Sequence, residues 1–117
     1  LLGLVIVGVL AIVAWLYGRV SLEQVPERHL ARVAAIGTLT SLSLFDAKVT
    51  DRGLQPLGQL KQLTRLRLGG TRVSDAGLEH LYGMKKMKDL YLTDLKLSED
   101  AIDRLKTALP EVTVAGP

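Results

Sequence analysis

Cysteine is absent from the 117 residues, which excludes disulfide staples, thiol catalysis and cysteine-based metal sites and leaves stability to packing alone. Catalytic patterns are missing too. The two histidines, His29 and His80, stand far apart, beside no HExxH spacing and no nucleophile elbow, and read as solvated surface residues. Gly69-Gly70 lacks the further glycines and the lysine of a phosphate loop. Glu99, Asp100 and Asp103 gather at a helix start, where they serve the helix dipole more readily than a metal. The sequence therefore predicts no enzyme, no catalytic residue, no metal and no cofactor. Fifteen Lys and Arg against twelve Asp and Glu leave a net charge of +3, too weak to imply nucleic acid.

Charge is also missing from the whole of residues 1–18; every charged residue lies at or beyond Arg19. An apolar run from Leu1 to Tyr17, at about 1.5 Å per helical residue, covers roughly 25 Å of hydrocarbon. Trp15 and Tyr17 then fall where amphipathic rings favour the headgroup layer, with Arg19 next in water. A cleavable signal peptide would end in a small-x-small site, and Trp15 directly after Ala14 fits that poorly. Residues 1–18 are thus expected to be a single transmembrane helix in contact with the lipid bilayer. Its sidedness stays open: Arg19, Arg28 and Arg32 near the exit point to the cytoplasm, but Glu23 and Glu27 are interleaved. A signal-anchor origin tips the expectation slightly to the extracytoplasmic side.

Beyond that segment the chain repeats itself every 24 residues, a periodicity diagnostic of stacked supersecondary units. Leu39, Leu63 and Met87 align, as do Leu42, Leu66 and Leu90, then Leu44, Leu68 and Leu92, then Val49, Val73 and Leu97. Leu54, Leu78 and Ile102 follow, then Leu57, Leu81 and Leu105. Gly53 and Gly77 align with Ala101, and Asp51 and Asp75 with Glu99. One period backward lies Leu30, Val33 and Ile36, the helical half of a degenerate first repeat. Leu42-x-Leu44 alternates with the period of a half-buried strand, whereas Leu54, Leu57 and Leu60 recur at three, as one face of a short helix. Thr50, Ser74 and Ser98 stand at helix entrances, where a hydroxyl accepts a bond from an orphan N–H. Pro56 removes a donor and is expected to keep its convex segment short or irregular.

These residues resemble the leucine-rich-repeat family in its variant L-x-x-L-x-L-x-x-T-x-V-[TS]-D-x-G-L, frequent in bacterial and F-box-type repeat proteins. The best copy runs Leu63-x-x-Leu66-x-Leu68-x-x-Thr71-x-Val73-Ser74-Asp75-x-Gly77-Leu78, and the likeness extends from Leu39 to about Leu105. It departs at Ala47 and Leu95, where Thr71 stands in the middle copy. The resemblance implies an α/β fold: a short leucine-rich-repeat solenoid, with parallel strands on a concave face and short helices on a convex one, preceded by the single transmembrane α-helix. The expected divisions are residues 1–18 for the anchor, 19–38 for an N-terminal helical cap or degenerate repeat, 39–108 for three repeats and 109–117 for a C-terminal cap, with Val112-Thr113-Val114 as a closing strand.

Non-leucine strand positions of such a solenoid point outward in columns. These are Ser41, Arg65, Asp89; then Ser43, Arg67, Tyr91; then Phe45, Gly69, Thr93; then Asp46, Gly70, Asp94. Phe45, Asp46, Arg65, Arg67, Asp89, Tyr91 and Asp94 form the candidate partner-binding face, since Arg and aromatic residues dominate interface centres. The same residues also suit a merely solvated face, with Arg65 and Asp89 paired across the ladder. Lys48, Arg72 and Lys96 share a further column, three residues before Asp51, Asp75 and Glu99. Either the two columns neutralise each other, or the cations, with Lys61, Lys85 and Lys86, form an edge for anions or lipid headgroups. The expected function is a membrane-anchored protein–protein interaction module, an accessory or assembly subunit whose partners are other protein subunits of a membrane complex. The competing reading is an envelope receptor or adhesion module for a peptide, glycan or lipid.

Overall fold

Each repeat holds its leucines on two elements too small to bury them alone, and the chain solves this by stacking. The computed structural model describes residues 19–21 and 27–116, with side chains from residue 27 onward; the expected membrane helix over residues 1–18 lies outside the described residues. Among the described residues no helix is long and apolar enough to cross a membrane. Strands β1 (Arg19–Ser21), β2 (Ser41–Ser43), β3 (Arg65–Arg67), β4 (Asp89–Tyr91) and β5 (Thr113–Ala115) form one parallel sheet in sequential order. Between them lie a 3₁₀ turn (Glu27–His29) leading into α1 (Leu30–Ala34), then α2 (Asp51–Leu57), α3 (Asp75–Leu78) continued by a 3₁₀ turn (Glu79–Leu81), and α4 (Glu99–Ala108).

Register follows the repeat. Ser41 lies opposite Arg65, Arg65 opposite Asp89 and Asp89 opposite Thr113, each 24 residues on, but Arg19 lies opposite Ser41, a step of 22. The segment 19–38 is therefore not helical throughout: it opens with a paired strand, and two residues are missing between that strand and its helix. Backbone bonds continue the ladder past the strand ends, Leu44 N to Arg67 O at 2.8 Å and Leu68 N to Tyr91 O at 2.9 Å. The closing strand is β5, one residue later than the Val112–Val114 run suggests.

Leu42, Leu66 and Leu90, Leu44, Leu68 and Leu92, and Leu54 and Leu78 are all buried in one continuous core that also takes in Leu30 and Val33 of α1. Each such side chain removed from water contributes about 1.5–3 kcal/mol. Toward the C-terminal end the core opens: Leu97, Val112 and Val114 are only partly buried against it, and so is Ile102. Ala47 and Leu95 fill with hydrocarbon the position where Thr71 is buried. The Thr71 hydroxyl donates to Leu68 O of its own repeat at 2.7 Å, so the two departures interrupt no inter-repeat bond. Pro56 stands one residue before the end of its helix, which is shorter than α4. It is tolerated within α2 because only one donor, that toward the carbonyl four residues back, is lost near the helix end.

The helix entrances differ from expectation in an informative way. Ser98 does cap α4, accepting from Ala101 N at 3.1 Å, but Thr50 and Ser74 make no cap of this kind. Instead their hydroxyls donate backward to an acid of the preceding repeat. Thr50 Oγ1 donates to Glu27 Oε1, which also accepts from Thr50 N at 2.9 Å and Gly53 N at 2.7 Å. Asp51 accepts from Ser74 Oγ and, at 2.7 Å, from Ser74 N. Asp75 accepts from Ser98 N at 2.9 Å. Glu27, Asp51 and Asp75 stand 24 residues apart, and each carboxylate straps its repeat to the next helix start, where orphan N–H groups and the positive dipole end await an anion. The glycine of the Asp-x-Gly-Leu signature provides the space this strap needs. A Cβ on Gly77 would collide with the Asp51 carboxylate, and one on Gly53 would come within 2.7 Å of Glu27 Oε1.

The bond from the Thr50 hydroxyl, aided by those from the Thr50 and Gly53 amides and by Arg52, holds the Glu27 carboxyl below its ordinary value against the opposing effect of burial. Asp75 is likewise lowered, chiefly by the Ser98 amide and hydroxyl.

Two predictions test this frame. Leu66→Ala, at the centre of the stack, should cost about 2–5 kcal/mol in denaturant unfolding. A carboxyl that titrates lower when folded stabilises the fold above its ordinary value and loses that effect as pH falls through the lowered one. Glu27→Gln should therefore melt below the parent at pH 7, and the two melting temperatures should converge as pH drops below the ordinary glutamate range.

Candidate functional site

Because the sheet is parallel and the leucines point inward, the alternate residues of β2, β3 and β4 share the concave face in the columns expected of them. At its centre, Arg67 of β3 reaches across both neighbours. Its guanidinium carbon lies 5.6 Å from the Phe45 ring centroid and 5.6 Å from that of Tyr91. Arg67 is exposed while both rings are half-buried, and each cation–π contact at such a site is worth about 0.5–1 kcal/mol. Phe45 can lie there because Gly69 has no side chain: a Cβ at that position would sit 3.1 Å from two ring carbons. The arrangement places an arginine between two aromatic rings before any partner arrives.

Beside this cluster Arg65 pairs with Asp89, Nη2 to Oδ2 at 3.3 Å and Nε to the same oxygen at 3.4 Å. With side chains 48% and 37% exposed, this cross-strand pair contributes about 0–1 kcal/mol. Asp46 and Asp94 flank the face for a reason the outward columns did not reveal. They have φ of 57° and 63°, and Gly70 between them has 71°. All three stand at the left-handed corner where the chain leaves its strand, a conformation that Asp and Gly tolerate. The Asp, Gly, Asp sequence at 24-residue spacing was the available signal.

The six basic residues are not one edge. Lys48, Arg72 and Lys96 follow the strands, whereas Lys61, Lys85 and Lys86 precede them, so a parallel sheet puts the two groups at opposite edges. The second group is tied to neighbouring repeats. Lys61 Nζ donates to Gly83 O at 3.4 Å, Lys85 Nζ to Ala108 O at 2.9 Å and Lys86 Nζ to Gln62 Oε1 at 2.7 Å. No ion pair among the described residues joins the cation column to the acid column; Asp51 and Asp75 instead accept hydrogen bonds from Ser74 and Ser98. Ion pairs among the described residues are Arg65–Asp89 and Arg104–Asp100.

On the convex side an open groove is lined by Glu27, Arg28, Ala31, Arg52, Gly53 and Pro56, but its carboxylate is the strap already described. His29 and His80 are half-buried rather than fully solvated. Among the described residues no group of three or more His, Cys, Asp or Glu is placed to hold a metal ion.

Comparison with known proteins agrees with this geometry. The family described as Leucine Rich repeat matches residues 38–58, from just before β2 to the end of α2. No protein of curated function matches the sequence. In "Structure of Chaetomium Mex67:Mtr2 subunits" a chain superposes with a TM-score of 0.67 at 14% identity, covering 83% of this chain and 76% of that one. A leucine-rich-repeat protein of Leptospira interrogans superposes with a TM-score of 0.53 at 21% identity, covering 78% of this chain and 28% of its own; the present chain thus spans under a third of that protein. Identities this low speak for the fold alone, and the fold is the leucine-rich-repeat solenoid.

Proposed function

We propose that the chain is a protein–protein interaction module that docks a partner subunit on its concave face, with Phe45, Arg67 and Tyr91 as the anchor and Arg65, Asp89, Asp46 and Asp94 around it. The observation that carries this reading is the pre-stacked Phe45–Arg67–Tyr91 cluster. Its residue types are those enriched at energetic centres of interfaces, and their mutual contacts bias them toward one arrangement, which lowers the entropy cost of association.

We further propose that residues 1–18 tether the module to a membrane, and that it serves as an accessory or assembly subunit of a membrane complex. Support comes from the charge-free run and from Trp15 and Tyr17 before Arg19; a tether of this kind raises effective concentration, so that a modest interface suffices. The soluble part is proposed to face the extracytoplasmic side, which protease accessibility in intact cells tests directly.

Mild detergent extraction followed by native gels and mass spectrometry should show the chain migrating with a larger complex. Arg67→Ala and Tyr91→Ala should each weaken that association by about tenfold or more, while both variants stay folded and lose only about 1–2 kcal/mol of unfolding free energy with their cation–π contacts. A lone monomer that binds a soluble peptide or glycan would replace the subunit reading with a receptor, and undiminished association of both variants would remove the concave face from it.

A further inference from the structure

β5 is the last strand of the sheet, and among the described residues nothing pairs with its outer edge. In a trans peptide the C=O and N–H point to opposite sides. Thr113 N donates to Lys88 O and Ala115 O accepts from Leu92 N, so Val112 O and Gly116 N face outward, with the N–H and C=O of Val114 between them. Their counterparts in the earlier repeats are used. Thr40, Thr64 and Lys88 O accept from the repeat that follows, and Leu44, Leu68 and Leu92 N donate to it. The apolar residues behind this edge are uncovered in the same sense. Leu97, Ile102 and Val114 are only partly buried, whereas Val49 and Val73, Leu54 and Leu78, and Leu42, Leu66 and Leu90 are buried. Residues 112–116 also carry no charge and no proline, the usual guards against strand pairing at an edge.

We propose that the occupant of this edge is a second copy of the chain, joined by antiparallel pairing of the two β5 strands about a two-fold axis beside Val114. The bare backbone groups are their own complement. With Val114 opposite Val114, each N–H meets the other copy's C=O, and Gly116 N meets Val112 O. Helix α4 carries a matching pattern. Ala101 is buried at the position where Gly53 and Gly77 meet the preceding repeat, so the opposite side of α4, turned to the open end, holds the exposed Glu99, Asp103 and Lys106 at i, i+4 and i+7. A two-fold axis that reverses β5 reverses α4 as well. It brings Glu99, in the first turn of one helix, to Lys106, in the last turn of the other, and by symmetry does so twice. Asp103, between them, meets its own copy and opposes the pairing, one repulsive contact against two attractive ones. A strand of some other protein could satisfy the backbone, but it would need the same reversed order of base and acid beside it to suit α4. The contact is isologous and therefore closes on itself, and it leaves the concave face open.

The full chain in nonionic detergent micelles should show a monomer–dimer equilibrium by sedimentation equilibrium. Because the chain has no cysteine, a single introduced one reports on one place. Cα atoms of an antiparallel hydrogen-bonded pair lie about 5.5 Å apart, within the span of a disulfide. Val114→Cys should therefore give a disulfide-linked dimer on mild oxidation, and Lys61→Cys, far from β5 in the sheet order, should not. Val114→Pro removes an outward N–H and no bond to β4, so it should raise the dimer Kd about tenfold or more with an unchanged far-UV circular dichroism spectrum. Glu99→Lys should weaken the dimer as well, and the swap E99K/K106E should restore it, a rescue that a merely structural role of Glu99 does not give. Arg67→Ala should dimerise as the parent does, which separates this contact from the concave face. A monomer at every concentration, or a series that grows past the dimer, would overturn the proposal. So would a dimer that Val114→Pro leaves intact and Val114→Cys does not cross-link, which would assign self-association to another part of the chain.

Discussion

A strand of three residues such as β3 and a helix as short as α3 cannot take Leu66 or Leu78 out of water unaided. Only the next repeat can cover them, and it can do so only if its own leucines arrive in the same register. Everything else in the molecule answers to that constraint. It sets the 24-residue step, forces the strands parallel, and leaves the alternate strand residues facing outward in columns. It also explains why the core loosens around Leu97, Val112 and Val114, where no further repeat is described to close it. Solenoids are one-dimensional stacks in this sense, each unit stabilised by its neighbours rather than by a common centre.

The carboxylate straps add a polar tie to this apolar stacking. An acid on one repeat finds two or more backbone and hydroxyl donors at the next helix start, and the absence of a side chain at Gly53 or Gly77 lets it come close. Asp51 and Asp75 form these bonds rather than close ion pairs with the cations three residues earlier. The two surfaces of the molecule therefore have different characters. The concave face carries an aromatic–arginine cluster, and the strand-exit edge carries interleaved columns of cations and acids.

Much of this was legible in the sequence because burial repeats. Leu42, Leu66 and Leu90 announce the core by their spacing, and Ser43, Arg67 and Tyr91 announce the outward face by default. Hydrogen-bond partners were not legible in the same way, since they depend on how far one side chain reaches into the next repeat. Thr50 and Ser74 look like helix caps locally, yet their hydroxyls serve acids 23 residues earlier. Glu27 belongs to the acid column by arithmetic, but its repeat was too degenerate to show it. The short first step was hidden for a related reason: Leu30 and Val33 keep the 24-residue register of the helices while Arg19–Ser21 do not keep that of the strands. Lys61, Lys85 and Lys86 looked like members of a basic edge because charge, unlike hydrophobicity, carries no mark of which end of a strand it occupies.

All three straps point the same way along the chain. Glu27, Asp51 and Asp75 each offer an acceptor to a repeat that comes later in the sequence, so a repeat already folded presents a finished template, while an unfolded one has nothing to give its predecessor. The solenoid is in this respect vectorial. It suits a chain that emerges from the ribosome one end first, each new helix start being met by an anion already in place.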